Sequence, residues 1–337
     1  MGKALAGTMA VALGGNIPII GKETAIKAHV MTVQGKIKPK KMGKTLIHEH
    51  ILVDFIGASE TGYHRWEKDK VIEKMTPYLL EIKERGYSTL VDCTPAFLGR
   101  DPVLLKTLSE NTGINIITNT GLYGAYDNKY LPDFAFHETA EQLADRWTGE
   151  VENGIEGTGV YPGFIKMSVN KAPLSDLHKK LIRAAGLTHL RTGLTIASHT
   201  GTAVPALEQL EILESMGVKG SAFVWVHAQN ENDHEMYRQA AAKGAWISIE
   251  GIRQENMLER IEKIVWLKEA GLLSNTLVSH DGGWYDPEKP GGGTINGFTL
   301  IADKVVPELQ KRGFSGKEVD TLFVENPAKV FSIEGKG

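Results

Sequence analysis

The feature that most constrains the fold is a regular alternation of short β-rich runs with helical patterns. The runs are largely apolar and mostly do not alternate with polar residues, which is typical of parallel strands buried on both faces. The eight predicted strands are Thr45–His48, Ser88–Asp92, Ile114–Asn119, Phe164–Met167, Leu194–Ser198, Ala222–His227, Ala245–Ile249 and Thr276–His280. The predicted helices between them are Lys70–Arg85, Glu138–Glu152, Ser175–Gly186, Pro205–Met216, Asn232–Lys243 and Glu255–Ala270.

Eight strands that alternate with helices predict a (β/α)8 TIM barrel of the α/β class. A doubly wound parallel sheet is the alternative, but no G-x-G-x-x-G motif follows the first strand. Before the barrel, Met31–Ile37 is predicted to form a small hairpin. Residues 31–337 are therefore interpreted as a single barrel domain.

Residues 1–30 are interpreted as a leader that is peripheral to the barrel. Lys3 precedes the apolar or small residues Ala4–Leu13, and Gly14 and Gly15 follow them. This arrangement is similar to the end of a secretory signal, although no clear cleavage site follows. A cytoplasmic location and an exported or periplasmic location both stay open.

Composition excludes several classes of function. Lys and Arg number 38 and Asp and Glu number 41, so a net charge of −3 gives no case for a nucleic-acid or anionic-membrane partner. No apolar run of transmembrane length is present, and the expected partner is a small-molecule substrate. Cys93 is the single cysteine, which excludes an internal disulfide and a cysteine-based metal cluster. A metal site built from histidine and carboxylate ligands stays open.

Residues with metal-binding chemistry lie in or just after five of the predicted strands. They are His48 and His50, Lys166, His199, His227 and Asp281. The carboxyl ends of barrel strands meet at one face, and the His-x-His spacing places two imidazoles on one side of a strand. Each residue alone has an ordinary structural explanation, such as a hydrogen-bonded histidine or a helix cap. Together, and with a lysine where a core excludes ammonium groups, they predict a metal site.

These stretches together resemble the phosphotriesterase family of the amidohydrolase superfamily. The matching segments are Thr45–His50, Gly163–Lys166, Ser198–Gly201, Trp225–His227 and Val278–Asp281, with the hairpin Thr32–Ile37 and the late Asn326–Ala328. The resemblance covers about residues 31–332. It also implies a homo-oligomer, with a dimer preferred.

By this resemblance the site holds two divalent metal ions. His48, His50 and Asp281 would bind the more buried ion, and His199 and His227 the more exposed one. Lys166 would carry a carbamate derived from CO₂ and bridge both ions. Zn ranks first, and Mn, Co or Fe are open, since the ligand types suit all of them. A hydroxide shared by the ions would attack the substrate, and Asp281 would act as the catalytic proton acceptor.

Two further residues bear on the substrate. Tyr123 and Arg253 resemble the tyrosine and arginine that the lactonases of the family place at the pocket. Gln229 and Asn230 stand where the phosphotriesterases proper have acidic residues that relay a proton. The expected activity is therefore hydrolysis of a lactone or carboxylic ester. Phosphotriester or phosphodiester hydrolysis is the alternative, and a barrel that binds metal without catalysis is a third hypothesis.

Overall fold

The computed structural model describes residues 1, 2, 4 and 28–334. Most of the predicted leader lies outside these residues, and its assignment stays a prediction. Within the described part of the chain, no helix is long and apolar enough to cross a membrane.

Twelve strands are present in the described residues. They are β1 Val30–Thr32, β2 Gly35–Ile37, β3 Lys44–Leu52, β4 Tyr87–Asp92, β5 Asn115–Ile117, β6 Asn119–Thr120, β7 Phe164–Ser168, β8 Ile196–His199, β9 Phe223–Val226, β10 Trp246–Ile249, β11 Thr276–Val278 and β12 Gly282–Tyr285. Strands β1 and β2 pair antiparallel and form the predicted hairpin.

The other ten strands form the wall of a parallel barrel. They form two hydrogen-bonded sheets, with the strand orders β12-β3-β4-β5 and β6-β7-β8-β9-β10-β11. The sheets meet where two barrel strands are interrupted: Thr118 separates β5 from β6, and residues 279–281 separate β11 from β12. The predicted (β/α)8 barrel is confirmed. The third predicted strand is divided into β5 and β6. The eighth predicted strand ends at Val278, and β12 was not predicted.

Eleven helices surround the barrel within the described residues, and six of them were predicted, with their ends shifted by up to six residues. They are α1 Lys68–Glu84, α2 Pro102–Thr112, α3 Phe134–His137, α4 Ala140–Asn153, α5 Asp176–Thr192, α6 Ala203–Ser215, α7 His234–Ala242, α8 Met257–Glu269, α9 Val306–Lys311, α10 Gly316–Asp320 and α11 Asn326–Val330. Helix α2 is not among the predicted helices. Its first turn is capped by the Asp101 carboxylate, which accepts a hydrogen bond from the Leu104 amide (3.0 Å).

Apolar side chains fill the interior of the barrel below the site. Phe164, Ala197, Val224 and Leu277 are members of this buried cluster. Phe164 lies two residues before Lys166, and Ala197 lies two residues before His199. Because side chains two apart on a strand share a face, the same inward-facing rows that form the core deliver polar groups to the carboxyl ends of the strands.

Candidate active site

The polar strand ends converge on one small cavity. It has a volume of about 80 Å³, and its lining residues are His48, His50, Val53, Phe55, Leu98, Tyr123, Tyr126, Lys166, His199, His227, Asp281 and Trp284. All six predicted metal ligands and Tyr123 therefore share one cavity. Arg253 is not among its lining residues.

His48, His50 and Asp281 form one compact group whose ligand atoms lie close enough to hold a metal ion. The Asp281 Oδ1 atom is 3.1 Å from His50 Nε2 and 3.6 Å from His48 Nε2. The Thr94 hydroxyl donates to the Leu52 carbonyl (2.9 Å), so its oxygen accepts from His50 Nδ1 (2.8 Å). This leaves His50 Nε2 unprotonated and directed to Asp281, as a metal ligand requires.

The backbone turns sharply at Asp281. Its φ of 53° is left-handed, and its amide donates to the His48 carbonyl (2.9 Å). This turn follows β11 and holds the Asp281 carboxylate beside the His48 and His50 imidazoles. The interruption of the eighth barrel strand is thus the feature that places the carboxylate in the site.

His199 and His227 form the second pair of imidazoles. Their ring centroids are 4.3 Å apart, and His227 Nε2 lies 4.0 Å from Asp281 Oδ2. The Tyr123 hydroxyl is 3.0 Å from His199 Nδ1. His227 also adopts a left-handed φ of 62°. Tyr123 is a cavity-lining residue in direct contact with His199.

The surroundings of Lys166 show whether the site fits a pair of metal ions. Its side chain is 1% exposed, and Nζ lies 3.4 Å from His48 Nε2. Among the described residues, no carboxylate lies within 4.0 Å of Nζ. A buried ammonium without an anionic partner is costly. A carbamate would replace that cation with an anionic oxygen donor between the two groups of imidazoles, so the donor set fits the group that the family resemblance implies.

Burial keeps the imidazoles of His48, His199 and His227 neutral. It lowers the pKa of His48 and His199 well below the usual value for histidine, and it lowers the pKa of His227 to about 4. The positive charge of Lys166 acts in the same direction. Neutral imidazole is the form that binds metal, so the site is ready for ligation at neutral pH without loss of protons from these rings.

Glu250 is a site residue that sequence reasoning missed. It follows β10 and is fully buried, and its Oε2 atom is 2.8 Å from His48 Nδ1 and 3.2 Å from His227 Nδ1. Burial raises its pKa to about 7, against the opposing effect of His227. With the two imidazoles it forms a second group whose ligand atoms lie close enough to hold a metal ion. The sequence does hold a signal for it: Trp246, Ser248 and Glu250 are spaced two residues apart, so they lie on the same face of the strand.

A second buried carboxylate supports the turn after β11. Glu49 accepts hydrogen bonds from His280 Nδ1 (2.8 Å), the Ser279 hydroxyl (2.8 Å) and the Gly282 amide (2.6 Å). The Ile301 amide donates to His280 Nε2 (3.0 Å), which fixes the proton of His280 on Nδ1. His280 therefore acts as a structural residue that ties the first barrel strand to the interruption of the eighth.

Arg253 holds the same turn from the outside. Its Nη1 atom donates to the His280 carbonyl (2.5 Å), and its Nη2 atom donates to the Asp281 carbonyl (2.7 Å). These charge-assisted bonds connect the loop after β10 to the backbone of Asp281. The structure thus brings Arg253 to the edge of the site through the backbone and not through the cavity lining.

One glycine, Gly121, permits the backbone to pack closely against the backbone of Lys166. Gly121 has a φ of 111°, and a Cβ atom built on it would lie 2.2 Å from the Lys166 carbonyl oxygen. We expect Gly121→Ala to lower the free energy of unfolding in urea by at least about 2 kcal/mol, since left-handed strain and backbone displacement add. Gly86→Ala is the matched control, because Gly86 has a φ of 82° but no neighbour within 4 Å of the added Cβ. Equal losses in the two variants would show that the clash with β7 is unimportant.

A sequence model of the phosphotriesterase family matches residues 28–331. This protein belongs to the phosphotriesterase family, which is part of the amidohydrolase superfamily. It is 28% identical over 327 residues to the aryldialkylphosphatase of Saccharolobus solfataricus, covering 94% of this chain and 99% of that protein.

Other relatives carry different names. The phosphotriesterase homology protein of Escherichia coli is 27% identical over 294 residues, covering 86% of this chain and 98% of that protein. The human N-acetyltaurine hydrolase is 25% identical over 346 residues, covering 90% of this chain and 98% of that protein. A triple mutant of the organophosphorus hydrolase from Deinococcus radiodurans superposes with a TM-score of 0.82 at 24% identity, covering 90% and 98% of the two chains, and shows the shared fold. The relatives named for an activity are thus hydrolases, and their names point to different substrates.

Proposed function

We propose that this protein is a binuclear metal-dependent hydrolase of a lactone or related carboxylic ester. The observation that carries the proposal is the convergence of four imidazoles, Asp281 and the buried Lys166 on one cavity whose wall includes Tyr123. The family membership supports hydrolysis, and the residues around the cavity support the substrate class.

The ligand assignment follows the two groups of side chains. His48, His50 and Asp281 would hold one ion, and His199 and His227 would hold the other. A carbamate on Lys166 would bridge the two. When bound, divalent ions supply a water of lowered pKa and polarise a carbonyl oxygen. Zn is the preferred metal, and Mn, Co and Fe suit the same donors.

The chain's own residues would move the proton and orient the substrate. Asp281 presents both carboxylate oxygens to the site imidazoles, so it is placed to accept a proton from the attacking water. Burial raises the pKa of Tyr123 well above the usual value for tyrosine, so its hydroxyl keeps its proton. That hydroxyl can therefore donate to the ring oxygen of a lactone.

The residue type at position 229, two residues after His227, favours a carboxylic ester over a phosphotriester. Gln229 Nε2 is 3.3 Å from His227 Nδ1, so an amide stands beside this imidazole at the place where the family's phosphotriesterases have acidic relay residues. An amide cannot relay a proton in that way. The walls formed by Phe55, Tyr126 and Trp284 are aromatic and suit the apolar face of a compact ring.

A substrate panel tests the proposal. Purified protein loaded with Zn, Mn or Co is assayed against neutral and anionic lactones, aryl esters, phosphotriesters, phosphodiesters and N-acyl amides. We expect the highest kcat/KM for a lactone. The phosphotriester alternative, which the name of the Saccharolobus relative supports, would be favoured if the best lactone reacts far more slowly than a phosphotriester.

Arg253 is proposed to contribute to substrate binding, and its variants make this testable. Arg253→Ala is expected to raise KM more for anionic lactones than for neutral ones, since a charge-assisted bond is worth about 1.5–3 kcal/mol. Because Arg253 also holds the Asp281 backbone, kcat should fall for both kinds of substrate. Arg253→Lys is the control that keeps the charge but not the paired bonds. An equal rise of KM for charged and neutral lactones would leave Arg253 with the backbone role alone.

A further inference from the structure

We infer that Glu250 is a positioning residue that fixes the proton location of one imidazole in each half of the binuclear site. The inference rests on the proposed metal centre, because it assigns His48 to one ion and His227 to the other. It concerns a carboxylate that lies behind the imidazoles: Glu250 is not among the residues that line the cavity.

The two oxygens of Glu250 have separate partners. Oε2 contacts His48 Nδ1 at 2.8 Å and His227 Nδ1 at 3.2 Å, while Oε1 accepts a hydrogen bond from the Ser248 hydroxyl. The ionised Glu250 carboxylate accepts hydrogen bonds and does not donate them, so both Nδ1 atoms carry the protons when Glu250 is ionised. Both Nε2 atoms are then unprotonated. They lie on the side of Lys166 and Asp281, with His48 Nε2 at 3.4 Å from Lys166 Nζ and His227 Nε2 at 4.0 Å from Asp281 Oδ2.

A second polar side chain, Gln229, lies beside His227 Nδ1 and would favour the opposite location of the ring proton. The Glu250 amide donates to Gln229 Oε1 (3.0 Å), which fixes the orientation of the Gln229 side chain and leaves Nε2 3.3 Å from His227 Nδ1. An amide N–H and a carboxylate therefore compete for the same ring nitrogen. The charged acceptor is the closer and stronger partner. Without it, Gln229 would donate to Nδ1 and the proton of His227 would move to Nε2, the atom that faces the site.

One carboxylate oxygen shared by both rings also links the two halves of the site mechanically. The His48 and His227 ring centroids are 5.3 Å apart, and their common partner restrains both rings. Replacing a carboxylate that accepts a hydrogen bond from a metal-binding imidazole typically changes metal affinity or activity by about 10–100-fold. Glu250 should therefore affect both ions and not one alone.

The test is a metal-competition assay on the full-length zinc-loaded protein, with a chromophoric chelator as the competitor. Glu250→Gln is expected to weaken binding of both ions by about 10–100-fold. Ser248→Ala removes the bond to the other oxygen and is expected to change affinity less. Asp54→Asn is the control for a buried carboxylate elsewhere, since Asp54 accepts from Thr61 and Arg65; it should lower thermal stability and leave zinc affinity at the wild-type value.

The outcomes separate this inference from the proposed function. Wild-type protein that binds no zinc would refute the metal centre itself. Wild-type protein that binds two ions, with Glu250→Gln equal in affinity, would overturn the positioning role, as would loss of one ion with the other unaffected, because Glu250 would then be a direct ligand. If Glu250→Gln does not fold, ¹⁵N NMR of the zinc-loaded wild type decides: protons on Nδ1 of both His48 and His227 support the inference, and a proton on either Nε2 overturns it.

Discussion

Lys166→Ala is expected to lose bound metal and to hydrolyse the best lactone substrate far more slowly than the wild type. The loss should exceed the roughly 100-fold upper effect of changing a residue that only supports a ligand, because Lys166 is proposed to bridge both ions. Lys166 lies in β7 with almost no solvent exposure and without an anionic partner among the described residues. Metal content and kcat/KM are measured on the same preparation.

Two controls make the Lys166 result specific. Short carboxylates such as acetate or propionate should restore part of the activity of Lys166→Ala, because they can supply the missing anionic oxygens. Lys166→Met keeps the volume of the side chain and should fold at least as stably as the wild type, since the burial of a charge is removed. Wild-type protein that is active with metal bound and with an unmodified Lys166, as shown by intact mass and ¹³C NMR after ¹³CO₂ exchange, would contradict the bridging role.

Asp281→Asn is expected to reduce kcat by about 10²–10⁴-fold even at saturating metal, since general-base groups contribute in that range. Asparagine keeps the shape of the side chain and the left-handed backbone at this position, which Asn tolerates well. The variant should therefore fold like the wild type. Activity is measured over a series of metal concentrations, so that weaker binding is separated from slower chemistry.

Glu49→Gln is the matched control for Asp281→Asn. Glu49 lies between the predicted ligands His48 and His50 in the chain and supports the same turn, but its oxygens contact His280, Ser279 and Gly282. Glu49→Gln should therefore lower the free energy of unfolding while changing kcat little. If Asp281→Asn retains kcat within about tenfold of the wild type at saturating metal, the proton-acceptor role is excluded, since even a modest general base supplies more than that.

The sequence carried enough information to predict the barrel and the side chains that meet at its mouth. The strands are short apolar runs, and the polar residues at their ends follow a fixed geometric rule of parallel barrels. His48, His50, Lys166 and His199 lie within regular strands, so a period of two was sufficient to place them. The structure brings each of them to the cavity.

The features that the sequence did not reveal depend on tertiary contacts. The left-handed turn at Asp281 is held by bonds from Arg253 and to His48, which no local pattern announces. Glu250 was missed because an acidic residue after a strand usually caps a helix or faces solvent. Helix α2 is predictable from the sequence, since Asp101, Pro102 and Gly113 are ordinary start and stop signals of a helix.

The most direct measurement of the central claim is a metal titration of the full-length protein with lactone hydrolysis followed on the same sample. Metal is first removed with a chelator, and Zn, Mn or Co is then added in steps while bound metal per chain is determined by mass spectrometry. Hydrolysis is expected to disappear on chelation and to rise until two ions are bound per chain, with lactones as the fastest substrates. Lactone hydrolysis that persists in the metal-free protein, or that saturates without any bound ion, would contradict a metal-dependent reaction.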